Sequence, residues 1–424
     1  MYALFVMISE IRIQNFKSIQ DLKLKLGRVT VLIGENGSGK SNILEAIAFA
    51  GCAAVDKLDN AYLAPRGIRV TEDTWMVSAF PKAEGEVKNQ RGIEFTVTGG
   101  NGDPAAIDYS VNPTRRNADN SFLRWSVYSE LIGHDETVNA LLNEDSEKPV
   151  ILVPEEIKRR LNEINELPES ESRIKREQFV LALAANNSLQ AKRQKFANLA
   201  TKLGLADYIV YSPENTVLRS PPPESAIQPL GTKGEGLFRL LQSFTDEKFK
   251  DRLAELQSRL HLFGWFDEFL PPDDSATSQA RLQIHDRWLA PDKAVFDQRS
   301  ANEGFLFVLF YFTLLLSWRT PVFFAIDNID TALNPKLCSI LMAQIVELAK
   351  KYGKQVICTT HNPAILDGLN INDDEQRLYT VQRDEDGHTV VNRVKPPQPQ
   401  PGKPPMKLSA AFLAGHIGGL PDHF

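Results

Sequence analysis

The stretch Val31-Leu32-Ile33-Gly34-Glu35-Asn36-Gly37-Ser38-Gly39-Lys40-Ser41-Asn42 joins an apolar run to the spacing G-x-x-x-x-G-K-S. A strand ends, a glycine-rich loop turns, and a helix begins at Lys40, followed by the apolar helical pattern Ile43, Leu44, Ala46, Ile47. The N–H groups of such a loop, with the helix N-terminus behind them, form a nest for phosphate oxygens. Gly37 and Gly39 let the main chain approach without a Cβ. Lys40 is placed to reach the β- and γ-phosphates, and the Ser41 hydroxyl to ligate Mg²⁺. The nucleotide-binding set read here is Gly34, Asn36, Gly37, Gly39, Lys40, Ser41 and Asn42. The alternative is a chance match, and the flanking strand and helix patterns count against it.

A second apolar run, Val322 to Ile326, ends in Asp327. A carboxylate at the end of a core strand beside the phosphate loop can hold Mg²⁺ through water. The bland reading is an Asp that caps the next turn. Many ATPases of this layout place a glutamate next, to polarise the attacking water; this chain has Asn328. An amide can orient water but cannot accept its proton. Asp330 is the substitute carboxylate within reach, and without it hydrolysis is expected to be slow. His361 follows the next core-strand pattern, Gln355 to Thr359, at a position suited to sensing a γ-phosphate. In Arg299-Ser300-Ala301-Asn302-Glu303-Gly304, Ser300 and Glu303 have capping-box spacing for the buried helix starting at Phe305. The same free N–H groups, with Ser300 and Gly304, suit the γ-phosphate of nucleotide held by a second subunit.

The 424 residues carry a net charge of −6, with 42% hydrophobic and 24% charged residues. These are ordinary values for a globular protein, and no global charge points to nucleic acid. Three separated cysteines, Cys52, Cys338 and Cys358, have no metal-ligand spacing and suggest a reducing, cytoplasmic setting. Met1 to Met7 lacks a basic segment for a secretory signal. The apolar run Phe305 to Trp318 is too short for a membrane span and reads as a buried helix.

Alternation predicts strands at 10–16 and 22–26, a hairpin over 93–98 and 106–111, and a strand at 122–129. Residues 155–205 read as helical, interrupted at Pro168. Tyr208 to Ser212 reads as a short strand, 236–263 as helical and 280–289 as a strand. Residues 335–351 form an amphipathic helix pattern, and 376–394 a hairpin. Pro397 to Pro405 is a proline-rich linker. The expected fold class is α/β, a mixed sheet with a flanking antiparallel β lobe. The divisions are 1–130 (lobe with the phosphate loop), 131–205 (helical insertion), 206–395 (second ATPase lobe) and 396–424 (linker and tail).

In this order the pieces resemble the ATP-binding-cassette heads of the SMC, RecF and OLD-type ATPases. The matches are I-x-x-F-K-S at Ile13 to Ser18, G-E-N-G-S-G-K-S-N, S-x-x-E-G at Ser300 to Gly304 as signature, I-D-N-I-D as Walker B and D-loop, and T-H ending at His361. Tyr211-Ser212-Pro213-Glu214 resembles a segment of RecF-like heads. I-D-N-I-D-x-x-L-N-P and the terminal L-x-G-x-x-G-G-L-P look like stand-alone antiphage ATPases such as the Septu ATPase. The resemblance implies ATP and Mg²⁺, an ATP-dependent homodimer, and a separately encoded nuclease as partner. OLD-type enzymes continue into a TOPRIM domain, for which the stretch after His361 is expected to be too short. The rival reading is a RecF-like DNA-binding ATPase. It would use Arg115-Arg116, Lys158 to Arg160, Arg173 to Arg176 and Lys192 to Lys195, which otherwise read as solvated helix faces. A transporter subunit fits less well, since the L-S-G-G signature is missing.

Overall fold

The computed structural model describes residues 6–70, 73–80, 92–99, 105–116, 122–132, 193–222, 226–272, 280–396 and 406–419. The expected helices over 155–185, the basic clusters at 158–160 and 173–176, and the linker 397–405 lie outside these residues.

Strands β1 (Ile8–Phe16) and β2 (Ile19–Lys25) form a hairpin. It leads into β3 (Val29–Ile33), the phosphate loop and α1 (Lys40–Ala54). β4 (Ile93–Gly99), β5 (Ala105–Arg116) and β6 (Phe122–Ile132) extend the hairpin into an antiparallel sheet of order β2-β1-β4-β5-β6. After helical residues 193–202 comes the two-residue β7 (Val210–Tyr211). Helix α2 (Lys250–Leu260) precedes β8 (Phe266–Leu270), β9 (Gln283–Asp286) and β10 (Val295–Asp297), a three-stranded antiparallel sheet. Then follow α3 (Glu303–Leu316), β11 (Phe323–Ile326), α4 (Pro335–Lys351), β12 (Gln355–Thr360), β13 (Gln376–Arg383), β14 (Thr389–Arg393) and α5 (Leu408–Leu413).

The central sheet has the order β14-β13-β3-β12-β11-β7, parallel except for the edge strand β14. β3 sits between β13 and β12, so the two expected ATPase lobes share one sheet. Both its faces are covered, which is why these strands read as unbroken apolar runs. Side chains alternate between two cores. Val29, Val31, Ile33, Val356 and Cys358 join the core under α3 and α4; Leu32 and Ile357 join the core with α1 and the antiparallel sheet. Helix α3 is buried along its whole length from Gly304 to Leu316 and packs against α2 and α4. Its aromatic and leucine side chains each contribute about 1.5–3 kcal/mol of hydrophobic stabilisation.

Register sets the site. Ile33 pairs with Thr360, and Ile326 with Cys358, so β3, β12 and β11 end together. The loops leaving them emerge along one carboxyl edge, where open α/β sheets bind ligands. In the small β8–β10 sheet, β9 lies inside the strand expected at 280–289, whereas β8 was not anticipated: Phe266 to Leu270 carries two acids in five residues and shows no clean alternation. Among the described residues no helix is long and apolar enough to cross a membrane.

Candidate nucleotide site

The phosphate loop folds as its glycines require. Gly37 and Gly39 have φ of 79° and 107°, the left-handed region open to glycine. A Cβ on Gly39 would lie 2.0 Å from Thr389 Oγ1, whereas one on Gly37 would meet nothing within 4 Å. Gly37 is therefore needed for its backbone angle and Gly39 for space as well. Helix α1 starts at Lys40 with no side chain capping it and no acid in its first turn. Its first N–H groups and the positive end of its dipole are free for an anion.

Lys40 is buried, and its Nζ donates to the Gly34 and Glu35 carbonyls, both at 2.8 Å. It also lies 3.4 Å from His361 Nδ1. Burial lowers the Lys40 pKa to about 8, against the opposing pull of Asp327, Asp330 and Glu35. Burial also lowers the His361 pKa, and the Lys40 charge adds to it. Both effects favour a neutral ring beside the ammonium.

Ser41 Oγ donates to Asp327 Oδ2 at 3.0 Å. Asp327 Oδ1 accepts from the Thr359 hydroxyl, and Thr359 Oγ1 in turn accepts from Asn328 N at 2.8 Å. One hydroxyl and one carboxylate, with phosphate oxygens and water for the rest, are the donor set magnesium prefers. Among the described residues no group of three or more His, Cys, Asp or Glu could hold a metal. The residues thus fit magnesium bound together with a nucleotide rather than an all-protein metal cage.

Asn328 has φ 54° and an exposed side chain whose amide makes no hydrogen bond among the described residues. Asn is among the few residues that tolerate this left-handed backbone, so local geometry is itself a reason for Asn here. Asp330 Oδ1 accepts from Thr360 Oγ1 at 2.7 Å and from His361 N at 3.4 Å. Its carboxylate is engaged in bracing the His361 loop.

The signature segment corrects one expectation. The cap of α3 is Asn302, not Ser300: Asn302 Oδ1 accepts from Phe305 N at 2.8 Å, and the helix begins at Glu303. Ser300 lies outside it, in an exposed turn whose N–H goes to Asp297 O. Its spacing from Glu303 imitates a capping box, but Asn302 is better placed because its extended backbone aims Oδ1 at the first turn. Gly304 is buried against the segment after Walker B, where a Cβ would stand 2.9 Å from Ala332 O. No hydrogen bond links Ser300 or Gly304 to the phosphate loop among the described residues. Asn42 donates to Ser18 Oγ at 2.6 Å and accepts from Arg69, so its side chain ties α1 to the β1–β2 turn. Asn36 is exposed.

Several contributors went unread in the sequence. Thr359 had no assigned role. Arg219 and the buried Gln298 brace the signature turn through hydrogen bonds between Gln298 Nε2 and Arg219 O and from Arg219 to Arg299 O. No motif marks them, because they act through main-chain carbonyls that any sequence supplies.

A family model described as "AAA domain, putative AbiEii toxin, Type IV TA system" matches residues 29–367, from β3 to just beyond His361. The chain belongs to this AAA family. It is 33% identical over 140 residues to the DNA double-strand break repair Rad50 ATPase of Sulfolobus acidocaldarius, covering 33% of this chain and 14% of that protein. It is 41% identical over 54 residues to the DNA replication and repair protein RecF of Bacillus cytotoxicus, covering 12% and 14%. These matches span about a seventh of each relative's length. A solved Smc head bound to the C-winged helix domain of ScpA has a similar fold, with a TM-score of 0.51 at 14% identity over 92% of this chain and 98% of that one. The fold is the P-loop, ABC-type fold of the Smc head.

Proposed function

We propose that this chain is an ATP-dependent switch. Lys40, Ser41 and the loop N–H groups bind the phosphates, while Ser41 and Asp327 hold Mg²⁺. Two copies close on two ATP molecules, each adding its Ser300–Gly304 segment to the other's site. The closed dimer controls a separately encoded effector nuclease in bacterial antiphage defence. ATP stabilises the closed form in proportion to its greater affinity for it. Hydrolysis is slow, so the closed state is long-lived.

The observation that carries this reading is the chain Ser41–Asp327–Thr359 at the end of β11, followed by an exposed amide in place of a base. Binding groups are present, and the nearest spare carboxylate, Asp330, is held by Thr360 and His361. The defence role is supported by the family's description as a "putative AbiEii toxin" of a toxin–antitoxin system and by the motifs I-D-N-I-D-x-x-L-N-P and L-x-G-x-x-G-G-L-P. The second reading, a DNA-repair ATPase, is favoured by the stretches shared with Rad50 and RecF.

The test is phosphate release by wild type and by Asn328→Asp, which adds a carboxylate at a backbone angle Asp accepts. Wild-type turnover above roughly 1 s⁻¹, the low end of ordinary turnover numbers, would end the slow-switch idea. Recovery of a stoichiometric nuclease with the native protein in ATP and Mg²⁺ separates the two readings. DNA affinity that falls steeply as salt rises, with no nuclease recovered, favours the repair reading.

A further inference from the structure

The hairpin of β13 and β14 grips the phosphate loop by its carbonyls. Arg383 Nε donates to Gly37 O at 3.0 Å, and Thr389 Oγ1 donates to Ser38 O at 3.0 Å. Thr389 Oγ1 also lies 2.7 Å from Ser18 Oγ, which accepts from Asn42 Nδ2 at 2.6 Å. Each hydroxyl has a single hydrogen. Thr389 spends its own on Ser38 O, so Ser18 donates to Thr389. The bonds then run in one direction: Asn42 to Ser18, Ser18 to Thr389, Thr389 to Ser38 O. Thr389 N donates to Ser18 O at 2.8 Å and fixes the pair in place.

A trans peptide points its C=O and its N–H to opposite sides. Holding Gly37 C=O on the hairpin turns Ser38 N–H inward. That N–H makes only a long, 3.4 Å contact with Glu35 O, the carbonyl that also receives Lys40 Nζ, and a phosphate oxygen would be a stronger acceptor for it. Holding Ser38 C=O on Thr389 turns Gly39 N–H away from the hairpin by the same rule. Gly39 lacks a Cβ because Thr389 occupies that space.

We propose that Arg383 and Thr389 are positioning residues for nucleotide binding, fixing two carbonyls outward so that Ser38 and Gly39 present their N–H groups to the phosphates. The proposal rests on the nucleotide reading above. It extends the binding machinery to a hairpin some 350 residues distant in sequence, at the edge of the sheet. Arg383 is exposed, and its guanidinium also ties down the hairpin turn at Gly387 O. A change in that turn is therefore transmitted to the loop.

The experiment is calorimetric titration of the full-length protein with ATP and with ADP in Mg²⁺, alongside nucleotide-free melting. The variants are Arg383→Ala, Arg383→Lys, Thr389→Val and Thr389→Ser. Loss of one orienting hydrogen bond is expected to weaken ATP and ADP alike by about three- to tenfold in Arg383→Ala and Thr389→Val. Thr389→Ser, which keeps the hydroxyl, is expected to stay within about twofold of wild type. A merely structural role would lower the melting temperature and leave the affinity of the folded protein unchanged, which overturns the proposal. If Thr389→Val does not fold, Arg383→Ala at its exposed site decides. Failure of wild type itself to bind ATP removes the nucleotide reading and this inference with it; normal wild-type binding with unaltered variants removes only the inference.

Discussion

Ser41 donates its hydroxyl hydrogen to Asp327 Oδ2 at 3.0 Å, tying the first turn of α1 to the end of β11, 286 residues further on. The other Asp327 oxygen is held by Thr359, from the neighbouring strand β12. One helix start and two neighbouring strand ends thus fix one carboxylate.

Thr359 orients the carboxylate that, on the proposed reading, would hold Mg²⁺. Removing such an outer partner typically weakens metal binding by about 10- to 100-fold. Thr359→Val is expected to need roughly tenfold more Mg²⁺ to support tight ATP binding. Thr359→Ser keeps the bond and behaves as wild type. Magnesium titration of ATP affinity reads the difference; identical curves for all three proteins would refute it.

Asn328 has a left-handed backbone angle of 54°. An ordinary residue there is strained by about 1–2 kcal/mol, glycine is not, and Asn is one of the tolerant types. Asn328→Ala is expected to lower stability by about 1 kcal/mol, and Asn328→Gly to leave it near wild type. Urea midpoints at constant slope measure this. Equal stability of the Ala and Gly variants would show that the angle relaxes freely.

Gly304 lets the start of α3 touch the segment after Walker B. A Cβ there would stand 2.9 Å from Ala332 O and 3.1 Å from Leu333 Cδ2. Gly304→Ala is expected to destabilise by about 1–3 kcal/mol, the usual effect of overpacking a filled site. Chemical denaturation of the nucleotide-free protein is the measurement, since it isolates packing from any loss of dimer closure.

Lys354 is buried between the end of α4 and β12, donating to Thr320 O, Thr320 Oγ1 and Pro321 O at 2.9–3.1 Å. Burial, with the Arg252 charge behind it, lowers its pKa from the ordinary 10.5 to about 7. Between pH 7 and 10.5 the unfolded chain therefore binds a proton that the native state has released, and stability rises with pH. Below pH 7 both states carry the proton and this contribution is flat. Wild type is expected to gain stability relative to Lys354→Met across that window. Parallel stability profiles of the two proteins from pH 6 to 10 would contradict the assignment.

Legibility followed the range of the interaction. Helix α4 was read from Pro335 to Lys351, the same limits the structure has, because its apolar period and terminal signals are all local. β3, β11 and β12 announced themselves as apolar runs because both faces of a parallel sheet are covered. The cap of α3 was misread as Ser300 because Ser300 and Asn302 are both favoured capping residues and Glu303, three after Ser300, completes the capping-box spacing. Only the backbone angle at Asn302 decides between them.

The sequence by itself determined the phosphate loop, the strand-ending Asp327, the absence of a glutamate after it, and the α/β class. Each of these is a property of neighbouring residues and their spacing. Tertiary structure decided that β3 is sandwiched by strands from the far end of the chain, that Asp330 serves the His361 loop, and that Thr389 holds the carbonyl of Ser38. Those partners meet through strand register and main-chain carbonyls, which carry no residue-specific signal along the chain.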